Sequence, residues 1–157
     1  IGPLMHRRAL AKVVAQVEDA KARGGRVLVG GSTHSEMAHA FQPTLIVDAP
    51  HDALIHQEET FGPVASLIPF DTEAEAISLA NATEYGLVAY VVTRDGARMM
   101  RLSRALEFGM VAINRVKITG GPIPFGGWKQ SGIGREGSRH GLEAFTELKY
   151  LCIDTAA

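Results

Sequence analysis

The chain has 157 residues, 46% of them hydrophobic, which suits one domain with enough apolar side chains for a core. A formal net charge of −1 with dispersed basic residues gives no electrostatic reason to expect nucleic acid or an anionic membrane as partner. The single cysteine, Cys152, excludes an internal disulfide framework and fits a reducing compartment, so a cytoplasmic location is expected.

The chain opens on Ile1-Gly2-Pro3 rather than on methionine, as an internal piece of a longer polypeptide would, and its first residues lack the charged-then-apolar order of a secretory signal. No apolar run approaches the roughly 18 residues that span a bilayer, so no membrane partner is expected. Across 5–23, Leu10, Val13, Val14, Val17 and Ala20 recur at helical spacing, with Arg7, Arg8, Lys12, Gln16, Glu18 and Asp19 on other faces. Gly24-Gly25 stops this amphipathic helix. Short apolar strands are predicted at 26–30 and 43–47, with Pro50 closing the second.

A loop containing Glu58, Glu59, Phe61 and Gly62 leads into a strand at 64–69, and Thr72 with Glu75 fits a capping box for a helix reaching Asn81. Residues 88–92 read as a β-branched strand. Asp95 then caps a helix carrying Met99, Leu102 and Leu106 on one face, with Gly109 as its C′ residue. A buried strand at 110–114 delivers the chain into a long irregular stretch, followed by a short helix at 137–145 and a terminal strand at 146–154 with alternating Leu148, Tyr150 and Cys152. Apolar strands alternating with amphipathic helices predict an α/β fold with a mainly parallel sheet. In such sheets, ligands gather beyond the strands' C-terminal ends.

The irregular stretch at 122–136 is rich in glycine yet interrupted by Phe125, Trp128 and Ile133, anchors that a solvated linker would lack. Its glycines form neither a GxGxxG strand-to-helix turn nor a phosphate loop. They either bring backbone close to a ligand or make a tight loop packed on the core. Glu58 and Glu59 are neighbours in an extended segment and so point to opposite sides. One could face a site, where a carboxylate can accept two ribose hydroxyls, and the other solvent. Histidines 34 and 39, and 51 and 56, are five apart, which is neither a helical i, i+4 face nor one side of a strand, so no metal is expected. Cys152 reads as a packing residue rather than a nucleophile.

Three stretches carry a family likeness: Gln57-Glu-Glu-Thr-Phe-Gly-Pro-Val64, Asn81 with Tyr85-Gly-Leu87, and Pro124-Phe-Gly-Gly-Trp-Lys-Gln-Ser-Gly-Ile-Gly-Arg-Glu136. In order and spacing they resemble the aldehyde dehydrogenase superfamily, over essentially the whole chain. The ending, from Gly134 to Ile153, is most similar to the succinate-semialdehyde branch. The resemblance implies an incomplete doubly wound, mainly parallel sheet from the C-terminal part of the catalytic domain over 1–136. Residues 137–157 would join the oligomerisation region, with a homo-oligomer implied.

The implied reaction is NAD- or NADP-dependent oxidation of a small aldehyde, succinic semialdehyde, to the acid. A cysteine thiolate attacks the aldehyde, hydride leaves to the nicotinamide, and a glutamate activates the hydrolytic water. By resemblance, Glu59 holds the nicotinamide-side ribose and Phe61 packs near the nicotinamide. Phe125 lines the substrate tunnel, Thr119 stands where a hydroxyl meets the substrate carboxylate, and Glu136 helps relay protons from the general base. Trp128 and the loop Arg115-Val-Lys-Ile depart from the family's usual residues. The nucleophile and general base of the family fall upstream of Ile1, so the chain alone is expected to be inactive. The alternative reading is a non-catalytic assembly module that keeps the fold.

Overall fold

The helical spacing near the start becomes α1, Arg7–Ala22, in a computed structural model that describes residues 1–155. His6 caps it, its Nδ1 accepting from the Ala9 amide at 3.0 Å. At the other end Gly24 takes φ +98°, its N–H donating to the Lys21 carbonyl while that of Gly25 donates to Ala20. This Schellman arrangement satisfies the last carbonyls and turns the chain out of the helix. Val13, Val17 and Ala20 are buried as the spacing predicts, but so is Gln16, assigned to a polar face from sequence. Its Nε2 donates to Glu58 Oε2 at 3.5 Å, a partner that local periodicity cannot reveal.

Against α1 lies a three-stranded sheet of β1 (Arg26–Val29), β2 (Thr44–Val47) and β3 (Val64–Leu67), in the order β1-β2-β3. β2 and β3 pair in parallel from Thr44↔Val64 to Val47↔Leu67, whereas β1 runs antiparallel to β2. The antiparallel pairing follows from the connection. Residues 30–43 hold no helix and fold back on themselves through a Thr33↔Phe41 bridge, so they return the chain instead of crossing over. Val13, Val17, Ala20, Phe41 and Ile46 form the core here, and α2 (Leu54–Gln57), a single turn, is tied to α1 where the Leu54 amide donates to Asp19 at 2.8 Å.

Residues 1–72 make one compact unit and the residues from Glu73 onward a second. The second begins with α3 (Glu73–Asn81), followed by β4 (Tyr85–Gly86), β5 (Val88–Val91), α4 (Gly96–Ala105), β6 (Met110–Ile113) and β7 (Trp128–Lys129). β5, α4 and β6 form a β-α-β unit, with β5 and β6 parallel from Val88↔Met110 to Val91↔Ile113. Asp95 caps α4 as predicted, its Oδ1 accepting from Ala97 and Arg98 at 2.8 and 3.1 Å. Met99 and Leu102 are half-buried and Leu106 is buried, so the predicted face is the packed one.

The described residues thus hold three small sheets with helices, two of the four pairings being parallel, where the sequence predicts one mainly parallel sheet. Gly109 is not the C′ residue of α4. That helix ends at Ala105, Leu106 turns extended, and Gly109 instead lets β6 begin against the backbone of Gly126 and Gly127. Residues 139–145 form a 3-10 helix, Arg139–Phe145. The predicted terminal strand is absent: 146–155 are irregular, because no neighbouring strand in the described residues supplies its backbone partners. Among the described residues no helix is long and apolar enough to cross a membrane.

Candidate active site

β6 ends where Asn114 takes φ +54°, and its amide group locks that turn by donating to Thr93 O at 2.8 Å and accepting from Thr93 N at 2.9 Å. The chain then runs through Arg115 to Thr119, exposed except at the half-buried Ile118, before tightening at the Ile123-to-Gly120 turn. Thr119 is exposed and is not one of the walls of the cleft described next.

The 122–136 stretch is a pinned loop, with more regular pairing than its sequence period suggests. Phe125 N donates to Glu136 O at 2.9 Å and Glu136 N to Phe125 O at 2.8 Å, closing the loop at its base. At its tip, β7 pairs antiparallel with β4, Tyr85↔Lys129 and Gly86↔Trp128. The glycines here serve close approach. A Cβ on Gly126 would stand 2.6 Å from the Gly134 carbonyl oxygen, so a side chain there would force the two arms of the loop apart. Arg135 stitches the same arms, its Nη1 donating to Gly127 O at 3.1 Å and Gly134 O at 2.6 Å.

Between this loop and the 3-10 helix lies a cleft of about 620 Å³, lined by Phe125, Ile133, Leu142 and Phe145, with Ser131 and Glu136 among its polar members. Two of the sequence-predicted residues, Phe125 and Glu136, are therefore brought together. Glu59 and Phe61 lie in the other unit. Glu58 and Glu59 are both exposed: Glu58 Oε2 accepts from Gln16 Nε2 at 3.5 Å, while Glu59 has no partner among the described residues. Phe61 is 82% exposed at φ +46°, a left-handed conformation that is strained for an aromatic residue. Gly62 beside it is required by packing, since a Cβ there would meet Val13 Cγ2 at 2.5 Å.

Electrostatics outside this loop are structural. Hydrogen bonds from Arg101 and then Arg98 hold the Glu73 carboxyl down to about 2. Burial pushes the His56 imidazole below its usual value, against a bond to the Pro50 carbonyl that raises it, and His51 adds a lowering repulsion. The His51 and His56 rings are 6.0 Å apart, and among the described residues no group of three or more potential ligands could hold a metal ion.

Asn81 and Lys129, to which the sequence assigns no role in a site, prove to be structural hubs. Asn81 Nδ2 donates to Ala105 O at 2.9 Å and its Oδ1 accepts from Glu107 N at 2.9 Å, closing the end of α4. Lys129 joins the same junction through its ammonium group.

With this geometry in place, the comparisons with known proteins are unequivocal: the aldehyde dehydrogenase family profile matches residues 1–151, and the chain belongs to that family. Within it, the chain is 49% identical over 153 residues to the NADP(+) succinate-semialdehyde dehydrogenase GabD of Escherichia coli, covering 98% of this chain and 32% of that protein. It is 47% identical over 152 residues to a glutarate-semialdehyde dehydrogenase of Pseudomonas aeruginosa, covering 97% of this chain and 32% of that protein. A crystal structure of an NADP-dependent enzyme from E. coli superposes with a TM-score of 0.94 at 49% identity, over 98% of this chain and 32% of that one. The chain spans about a third of the length of the curated relatives it matches.

Proposed function

We propose that this chain is the C-terminal portion of an NAD(P)-dependent aldehyde dehydrogenase that oxidises succinic semialdehyde to succinate, with the glutarate homologue as the second candidate substrate. The observation that carries the reading is the Phe125–Glu136 bridge, which sets an aromatic side chain and a carboxylate on the walls of one cleft. Phe125 packs against the carbon chain of the aldehyde. Glu136 passes protons toward the base that activates water. The Thr119 hydroxyl donates to the substrate's carboxylate from the exposed loop after β6.

The residues present fit a nicotinamide dinucleotide. Glu59 is an exposed carboxylate without a partner among the described residues, able to accept two ribose hydroxyls, and Phe61, two residues on, offers an exposed ring. When bound, that cofactor supplies the hydride acceptor. Residues 1–136 belong to the catalytic domain in this reading, and 137–157 run toward the oligomerisation region of a cytoplasmic homo-oligomer.

The test uses an enzyme of the relatives' length that carries this sequence, assayed for reduced nicotinamide with succinic and glutaric semialdehydes. Turnover of a carboxylate-bearing aldehyde is expected, with Phe125→Ala lowering kcat/KM at least about tenfold through lost apolar contact. These 157 residues assayed alone give none, because Cys152 does not serve as nucleophile. An enzyme indifferent to Phe125→Ala, or one without aldehyde oxidation, contradicts the reading.

A further inference from the structure

Lys129 sits at φ +53°, in the left-handed region that a lysine backbone disfavours, at a position where glycine would be unstrained. Its side chain explains why a lysine is held there. The ammonium has three protons and meets three acceptors: Asn81 O at 2.9 Å, Thr83 O at 3.2 Å and Glu107 Oε2 at 2.7 Å. The first two are carbonyls at the C-terminal end of α3, where the helix's partial negative charge favours a cation. Glu107 follows α4, and its amide is held by Asn81, whose other amide atom takes the last α4 carbonyl at Ala105.

The residues beside Lys129 are tied to the same segment. Gln130 N donates to Glu84 O at 2.9 Å and Gly86 N to Ser131 Oγ at 3.0 Å, beside the β4–β7 ladder. The loop is therefore fixed at two places. Its base is closed by the Phe125–Glu136 bridge, and its tip is clamped at the ends of α3 and α4.

We propose that Lys129 is a positioning residue, whose ammonium clamps the active-site loop to the ends of α3 and α4 and thereby sets the placement of Phe125 and Glu136. The inference rests on the reading of that loop as an active-site wall. Lys129 touches no reacting atom in this scheme. It acts through the loop, so its loss disturbs aldehyde use rather than cofactor use.

The experiment compares Lys129→Met, Lys129→Arg and Glu107→Gln in the relatives' length enzyme carrying this sequence. Lys129→Met is expected to lower kcat/KM for succinic semialdehyde by about tenfold to a hundredfold, as small misplacements of a positioned group do, with KM for the dinucleotide unchanged. Lys129→Arg recovers part of the loss, and Glu107→Gln, which keeps both carbonyl bonds, shows the same selective loss at smaller size. Unchanged aldehyde kinetics in Lys129→Met, or aldehyde and dinucleotide KM rising together with a falling Tm, overturns the inference. Should Lys129→Met fail to fold, Glu107→Gln decides by the same criteria.

Hydrogen exchange at the Phe125 and Glu136 amides provides a readout that needs no turnover. Exchange at least about tenfold faster in the Met or Gln variant supports the clamp, and unchanged exchange in both sinks it. An unsubstituted enzyme that does not oxidise the aldehyde refutes the proposed reaction, and the exchange measurement still decides the clamp.

Discussion

Glu73 opens α3 and faces two arginines of α4, with Arg98 Nε at 2.8 Å and Arg101 Nε at 2.7 Å. Those bonds stabilise the ionised carboxyl, so its folded value falls from 4.5 to about 2. A depressed carboxylate contributes stability above its unfolded value, and that contribution is lost as pH falls from about 4.5 through about 2. The expected outcome in an NMR titration is a Glu73 carboxyl midpoint near 2, returning toward the ordinary glutamate range in Arg101→Ala. A wild-type midpoint already in the ordinary range would show that the ion pairs do not persist in solution. Alternation along extended backbone is legible in sequence, but that Glu58 is the one turned toward Gln16 depends on α1, 42 residues away in the chain.

At the scale of elements, Gly109 and Gly96 make a paired test. A Cβ at Gly109 would collide with Gly126 O and lie 2.8 Å from Gly127 Cα, backbone atoms that cannot swing aside, whereas nothing lies within 4 Å of one at Gly96. Gly109→Ala is expected to destabilise the protein by about 2 kcal/mol through overpacking. Gly96→Ala, in the first turn of α4, is expected to stabilise it by about 0.5 kcal/mol, since alanine loses less backbone entropy there. Urea midpoints measure both, and equal midpoints for the two variants would disprove the close approach of β6 to the 126–127 backbone. From sequence, Gly109 reads as a helix stop. The structure stops α4 two residues earlier than a Gly109 C′ implies, by turning Leu106 extended and giving the Ala105 carbonyl to Asn81. A side-chain cap from 24 residues away leaves no local signal.

Over the molecule as a whole, large apolar side chains remain uncovered on several elements. Leu28 and Val29 on β1, Leu67 on β3, and Leu148, Tyr150, Leu151 and Ile153 after the 3-10 helix are all exposed. Apolar surface on that scale favours association, and strand edges with free backbone groups add to it. The 157-residue chain is therefore expected to self-associate at micromolar concentration, with light scattering giving a mass above that of the monomer. A stable monomer across the concentration range is the contrary outcome.

What the sequence by itself determines is local. The period of α1, the Asp95 cap and the short β-branched strands are properties of neighbours a few residues apart. The family likeness is legible because its motifs are contiguous, and the roles proposed for Glu59, Phe61, Phe125 and Glu136 rest on that likeness. Tertiary structure alone decides how strands pair, and so gives three small sheets instead of one, because pairing depends on which distant segments meet. It also decides that Gln16 is buried, that Phe125 and Glu136 share a cleft, and that Lys129 is held by groups 22 to 48 residues away in the chain. The physical reason is common to all of these. Burial and hydrogen-bond satisfaction are conditions on space, and a linear pattern specifies space only over the reach of a helical turn or a strand.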